Sequence, residues 1–331
     1  MKKVLVALLL TALVATGLFA AGSQETASAP TPENPLVLRL AENQPENNPV
    51  TIAMYKFADL VEEKTNGAVK IEVYASAQLG QETENIEQVS AGILEMARVN
   101  SVTLAQTVKE LGVFTLPYIF TDQEMKYEIL DGPIGQEVLD AFPQYNMVSF
   151  GYLEAGSRNF YTTRKPITNL ADLSGQKIRV QPAKISIDMI NYLGAVATPM
   201  DYGEVYTGLQ TGVIDGAEND FVSYYTSGHY EVAKHFTLDA HLAPPAMIIM
   251  STRSWNRLSD AQKAAVQEAA DEATAFQRVA MNESQDEFRA LVEEAGTTVY
   301  EVDTKPFQDA VAPIYDEYPE YADIINRIRS L

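Results

Sequence analysis

Between Ser259 and Glu294 the chain runs without a glycine or a proline, and Ala264, Ala265, Ala269, Ala273, Phe276, Val279 and Ala280 keep a helical stripe through it. Ser259-Asp260-Ala261-Gln262 opens the run as a capping box, in which the serine and glutamine side chains satisfy backbone N–H groups at the helix start. Gly296 closes it. At ~1.5 Å per residue, ~36 residues make a rod of ~54 Å. That is longer than one small domain, so the helix is expected to lie across two lobes. A pair of helices kinked near Asn282-Glu283-Ser284 is the other reading these residues leave open. A chain of 331 residues has the length for two domains, and 46% hydrophobic residues suffice for a core in each.

Strands and helices alternate from Leu36 onward. Leu36, Leu38 and Leu40 alternate with Val37 and Arg39 as a strand with one buried face. A helix follows, with Asn47 or Asn48 as cap, Pro49 in the first turn, and Ala53, Met54, Phe57, Ala58, Leu60 and Val61 at helical spacing until Asn66-Gly67. Val69, Ile71 and Val73 form a second strand, and Ile86, Val89, Ile93 and Leu94 begin a second helical stripe. This order predicts the α/β class. A second such run starts near Arg158, with a strand at Ile178–Val180, a helix from Ile185 to Leu193 and another from Val205 to Gln210. Gly92 to Asn100 echoes Gly212 to Asn219. Each reads as a helix exit, a turn and a short strand delivering an asparagine. Ligands of α/β sheets sit outside the carboxyl ends of strands, so the echo points to two similar lobes facing one cleft.

Met1-Lys2-Lys3, the apolar run Val4–Ala15 and small residues at Ala20 and Gly22 form a secretory signal peptide over residues 1–22. Ala27 and Ala29 offer a second cleavage site, and an uncleaved anchor is the competing reading. No cysteine follows, which excludes a lipoprotein anchor, and residues 23–35 with Pro30, Pro32 and Pro35 read as a flexible leader. A periplasmic location is expected. The formal charge of -21 becomes more negative when Lys2 and Lys3 are lost, and it excludes nucleic acid and anionic lipid surfaces as partners.

Without cysteine there is no disulfide, thiolate metal site or cysteine nucleophile. His229, His235 and His241 fall six residues apart. Six apart on a helix points to different sides, and on a strand to positions ~20 Å from end to end, so no metal is expected. No P-loop, G-x-G-x-x-G, G-x-S-x-G or H-E-x-x-H pattern occurs.

Six segments carry more information: Ala77-Gln78-Leu79-Gly80, Leu116-Pro117-Tyr118-Ile119-Phe120, Ser157-Arg158-Asn159-Phe160-Tyr161, Lys177-Ile178-Arg179-Val180, Met200-Asp201-Tyr202-Gly203-Glu204-Val205-Tyr206 and Ile214-Asp215-Gly216-Ala217-Glu218-Asn219. In this order, between about Leu38 and about Ala295, the chain resembles the DctP-type substrate-binding proteins of TRAP (tripartite ATP-independent periplasmic) transporters. The resemblance implies a two-lobed periplasmic-binding-protein fold with a central cleft and the long helix spanning both lobes. It places residues 36–156 and 245–284 in one lobe, and residues 157–244 and 285–331 in the other. It implies a hinge-closing receptor that hands a small organic acid to the membrane subunits of a sodium-driven permease. No cofactor, no catalysed reaction and a monomer are expected.

By the same resemblance, Arg179 clamps the ligand carboxylate, Arg158 is a second basic position, Asn219 bonds the ligand and Tyr202 packs against it. A planar guanidinium can make two parallel charge-assisted bonds to a carboxylate. On pattern alone Arg179 reads equally as a solvent-facing strand arginine. Gln44, Glu82 and Asn100 correspond to first-lobe positions that reach polar groups away from the carboxylate. Asn100 stands where sialic-acid binders carry an acid, and Asp220 where many relatives have proline. A hydroxylated monocarboxylate such as a hexuronate or aldonate is favoured over a C4-dicarboxylate, because a second buried carboxylate needs a second cation. Arg98 could supply one, since Met96, Arg98 and Asn100 share a strand face. Two other functions remain open: a secreted enzyme acting on an acidic sugar through Glu82 and Glu218, and a receptor of the same fold feeding a sensor kinase or an ATP-driven permease.

Overall fold

The computed structural model describes residues 29–331, so the signal peptide expected at 1–22 lies outside the described residues. Its strands in chain order are β1 (Leu36–Ala41), β2 (Val69–Tyr74), β3 (Met96–Asn100), β4 (Met147–Ser149), β5 (Arg158–Thr162), β6 (Lys177–Val180), β7 (Val196–Pro199), β8 (Gly216–Asn219), β9 (His235–Leu242), β10 (Ala246–Ser251) and β11 (Thr298–Glu301). They form two sheets, ordered β2-β1-β3-β10-β4 and β11-β9-β5-β8-β6-β7. In the first, β1 runs parallel to β2 and β3, and β10 antiparallel to β3 and β4. In the second, β8, β6 and β7 are parallel neighbours while β5 lies antiparallel between β8 and β9.

Each sheet is the centre of a lobe. The chain crosses between them in the 150–157 segment after β4 and in the 243–245 segment after β9. Leu153 and Ala246 exchange backbone bonds of 2.8 and 3.1 Å, which ties these crossings together. The third connection is the helix Asp260–Glu294, 35 uninterrupted residues capped by Ser259 and Gln262. Near its start Val266, Ala269, Ala270 and Ala273 pack with Met54, Phe57 and Val61 of the helix Pro49–Lys64. Near its end Val292 joins the second-lobe cluster of Tyr161, Phe221, Tyr224 and Phe236. The small alanine face lets two helices approach closely, and the single-helix reading holds. The cap of Pro49–Lys64 is Asn48.

Three local expectations need correction. The helix Glu82–Ser90 stops before Ile93, which lies beyond Gly92 (φ +68°) and is 63% exposed, so the second stripe ends at Val89. The described part of the leader is tied down: Thr31 and Asn34 bond reciprocally, and Gln262 Nε2 donates to Pro30 O at 2.8 Å. The C-terminal segment, expected with the second lobe, packs on both. Phe307, Val311 and Ile314 share one apolar cluster with Val113 and Phe114 of the first lobe and Met189 and Ile190 of the second. Tyr321 donates to Lys109 O at 2.7 Å, and a β-carbon on Gly112 would lie 2.0 Å from that hydroxyl.

Candidate functional site

The carboxyl ends of β1, β3, β6 and β8 converge on a nearly closed cavity of about 40 Å3 between the lobes. Gln44 enters just after β1, Arg98 and Asn100 from β3, and Glu82 from the first turn of its helix. Opposite them are Arg158 at the start of β5, Arg179 in β6, Tyr202 in the turn after β7 and Asn219 at the end of β8. All eight residues singled out by sequence therefore border one space. The wall also includes Asn43, Thr103, Gln181, Asp201 and Ser223, which motif reading missed. Gln181 directly follows β6 and Asn43 stands two residues beyond β1, so the strand-end rule points to both.

The three arginines differ in how their charge is balanced. Arg158 is bound by both oxygens of Glu218, with Nη2 to Oε1 at 2.7 Å, and its Nη1 donates to Asn219 Oδ1 at 3.0 Å. Glu218 in turn lies 3.5 Å from His241 Nε2, and His241 Nδ1 lies 2.8 Å from Asp239. Burial pushes Glu218 upward, but the charges and bonds of Arg158 and His241 outweigh it and bring its pKa to about 2. Burial alone would lower His241; Asp239 and Glu218 outweigh it and raise it to about 9. The chain Arg158–Glu218–His241–Asp239 is thus two cations and two anions, neutral as a whole.

Arg98 is likewise filled. Its Nε donates to Glu42 Oε2 at 2.6 Å, its Nη2 to Glu42 and to Asn43 Oδ1, and its Nη1 lies 3.7 Å from Glu82. Glu82 accepts from Asn100 N and Thr103 Oγ1, both at 2.9 Å, and burial raises its pKa although Arg98 opposes the shift. Arg98 does face the cavity, but it brings its own counter-ion and so is not a free second cation.

Arg179 has none. It is 2% exposed, and among the described residues no carboxylate lies within 4.0 Å of its guanidinium. Its Nε donates to Met200 O at 2.8 Å, which fixes the plane and leaves both Nη groups for another acceptor. Burial drives its pKa below the usual arginine value. A solvent-facing strand arginine is ruled out. The Tyr202 ring lies 5.8 Å from this guanidinium, and its hydroxyl is held by Ser227 at 2.7 Å. Keeping a buried, uncompensated cation is costly unless an anion completes it.

Polar bonds already join the lobes: Asn48 Nδ2 to Thr226 Oγ1 at 3.2 Å, and Gln181 Nε2 to Thr103 Oγ1 at 3.3 Å. Asp220 caps the helix Phe221–Thr226 through Ser223 N at 3.0 Å and packs on Gly156 of the first crossing. The cap uses only Oδ1; Oδ2 is buried without a hydrogen-bond partner among the described residues. The three histidines occupy separate places: His229 beneath Tyr161 and Tyr202, His235 beside Tyr300, and His241 in the charged chain. Among the described residues no group of three metal-ligating side chains is assembled. A wider groove of about 970 Å3 borders the crossings and the C-terminal helices, but its buried cation, Lys126, is held by both oxygens of Glu154 at 2.8 and 2.9 Å.

Two lobes joined by three crossings, with Arg179 facing the cleft between them and no carboxylate within 4.0 Å of it among the described residues, have the architecture of a solute-binding receptor. Residues 40–321 match the DctP family, bacterial extracellular solute-binding protein family 7, and the chain belongs to it. A solute-binding protein of Chromohalobacter salexigens is 38% identical over 290 residues, 86% of each chain. The TRAP periplasmic solute-binding protein of Xanthobacter autotrophicus Py2, solved with bound β-D-galacturonate, has a TM-score of 0.86 and 39% identity, covering 88% of this chain and 99% of that one. That of Pseudomonas putida F1, solved with D-glucuronate, has a TM-score of 0.87 and 36% identity, covering 89% and 97%. Among the described residues no helix is long and apolar enough to cross a membrane.

Proposed function

We propose that this protein is the periplasmic receptor of a TRAP transporter for a sugar acid with one carboxylate, a hexuronate or an aldonate, which it delivers to the membrane subunits of a sodium-driven permease. The observation that carries the reading is Arg179, the one guanidinium at the cleft with no carboxylate within 4.0 Å among the described residues. A single free cation suits a single carboxylate. Gln44, Asn100 and Asn219 offer amides, and Glu82 a carboxylate, to the hydroxyls along a sugar's edge. Arg158 and Tyr202 hold the clamp's surroundings. The galacturonate and glucuronate bound by the structures at 39% and 36% identity support the same class.

A C4-dicarboxylate is disfavoured because its distal group would meet Glu82 and an Arg98 already taken by Glu42. The enzyme reading is disfavoured because Glu218, with a pKa near 2 and both oxygens engaged, is poorly placed to exchange protons near neutrality. The mature protein is a monomer, released by cleavage of the signal peptide, and secreted material should lack ~20–28 residues by mass spectrometry. Calorimetry with glucuronate, galacturonate and gluconate against succinate and malate tests the ligand class. Tighter binding of either dicarboxylate would overturn it.

A further inference from the structure

Arg98 and Arg179 border the same cavity from opposite lobes, an arrangement suited to an acid with a carboxylate at each end. What prevents that use is Glu42. It follows β1, is fully buried and does not border the cavity. It meets Arg98 through both oxygens and cannot readily swing away, because its Oε1 also accepts from Gln44 N at 2.7 Å and its backbone is bonded to Tyr74 O and Ala77 N. With Glu82 3.7 Å from Arg98, this wall carries two carboxylates against one guanidinium.

We propose that Glu42 is a positioning residue for specificity: by filling the fork of Arg98 it admits a hexuronate and rejects the corresponding aldarate, which bears a second carboxylate at the other end. The inference rests on the reading that Arg179 holds the carboxylate of a sugar acid. Its physical basis is discrimination by an uncompensated charge, in which the wrong ligand is rejected because its extra carboxylate finds no cation. Glu42→Gln keeps the shape and one acceptor but removes the charge, so Arg98 is left to pair with the incoming group.

The test measures binding of D-galacturonate and galactarate to the full mature protein and its variants by calorimetry. The wild type should prefer galacturonate, and Glu42→Gln should shift the ratio of the two affinities at least tenfold toward galactarate. A purely structural role would weaken both ligands and leave the ratio alone. A folded Glu42→Gln that binds galacturonate with an unchanged ratio overturns the inference while the receptor reading stands. A wild type that binds galactarate as well as galacturonate also overturns it, and one that binds no sugar acid overturns both. Should Glu42→Gln fail to fold, Glu42→Asp keeps the charge but shortens its reach, which loosens its hold on the fork of Arg98. The ratio for that variant should shift toward galactarate by several-fold, and an unchanged ratio would refute the idea.

Discussion

Replacing Arg179 by methionine should move two quantities independently. With Nε fixed on Met200 O at 2.8 Å, the two Nη groups are left for the ligand. Two charge-assisted bonds at ~1.5–3 kcal/mol each are then lost, ~3–6 kcal/mol together. At ~1.4 kcal/mol per decade this weakens sugar-acid binding by about 10²–10⁴-fold. In the ligand-free protein the balance differs. The guanidinium is buried without a carboxylate within 4.0 Å among the described residues, so an apolar side chain of similar length relieves desolvation, against a lost bond to Met200 O of ~1 kcal/mol. The ligand-free variant should therefore melt no lower than the wild type. Calorimetry with D-galacturonate measures the first quantity and scanning calorimetry without ligand the second. Binding within tenfold of wild type would remove Arg179 from the site, and a marked loss of ligand-free stability would show that its charge is already compensated.

Three further outcomes follow from the geometry. His241 has a folded pKa of about 9, above the ordinary 6.5, so its stabilisation is complete below pH 6.5 and fades as pH rises through 9; the urea-stability gap between wild type and His241→Gln should narrow over that interval, and a constant gap would contradict the charged chain. Gly156 has φ +74°, and a β-carbon there would lie 2.5 Å from Asp220 Cβ, so Gly156→Ala should cost ~1–3 kcal/mol; an unchanged melting temperature would be inconsistent with this packing. The bonds across the cleft at Asn48–Thr226 and Gln181–Thr103 mark the described form as closed, so ligand-free protein in solution should be more open, saturating galacturonate should lower the radius of gyration seen by small-angle scattering, and equal values would mean a rigid receptor.

Local signals in the sequence were read most faithfully where structure is local. Alternation at Leu36–Leu40, the cap and first-turn proline at Asn48-Pro49, and the capping box at Ser259 each depend on neighbours within a few positions, and each became the element expected. Ile93 misled because helical spacing continues past a chain that has already turned at Gly92. The family resemblance brings seven of the cleft residues to notice and strand alternation the eighth, Arg98, but spacing carries nothing about which charges cancel. Glu42 meets Arg98 across 56 positions and Glu218 meets Arg158 across 60. Those pairings arise only when β1 lies beside β3 and β5 beside β8. The difference between a free and a filled arginine, on which ligand choice turns, is a tertiary property. The C-terminal helices, packed on both lobes through Tyr321 and Phe307, were unreadable for the same reason.

The most direct measurement is a crystal structure of the protein with D-galacturonate. In it the ligand carboxylate should lie against both Nη groups of Arg179 at ~2.7–2.9 Å, with Arg98 still bound to Glu42 and Arg158 to Glu218. A carboxylate seated on Arg98 or Arg158 instead, with Arg179 left without an anion, would contradict this placement.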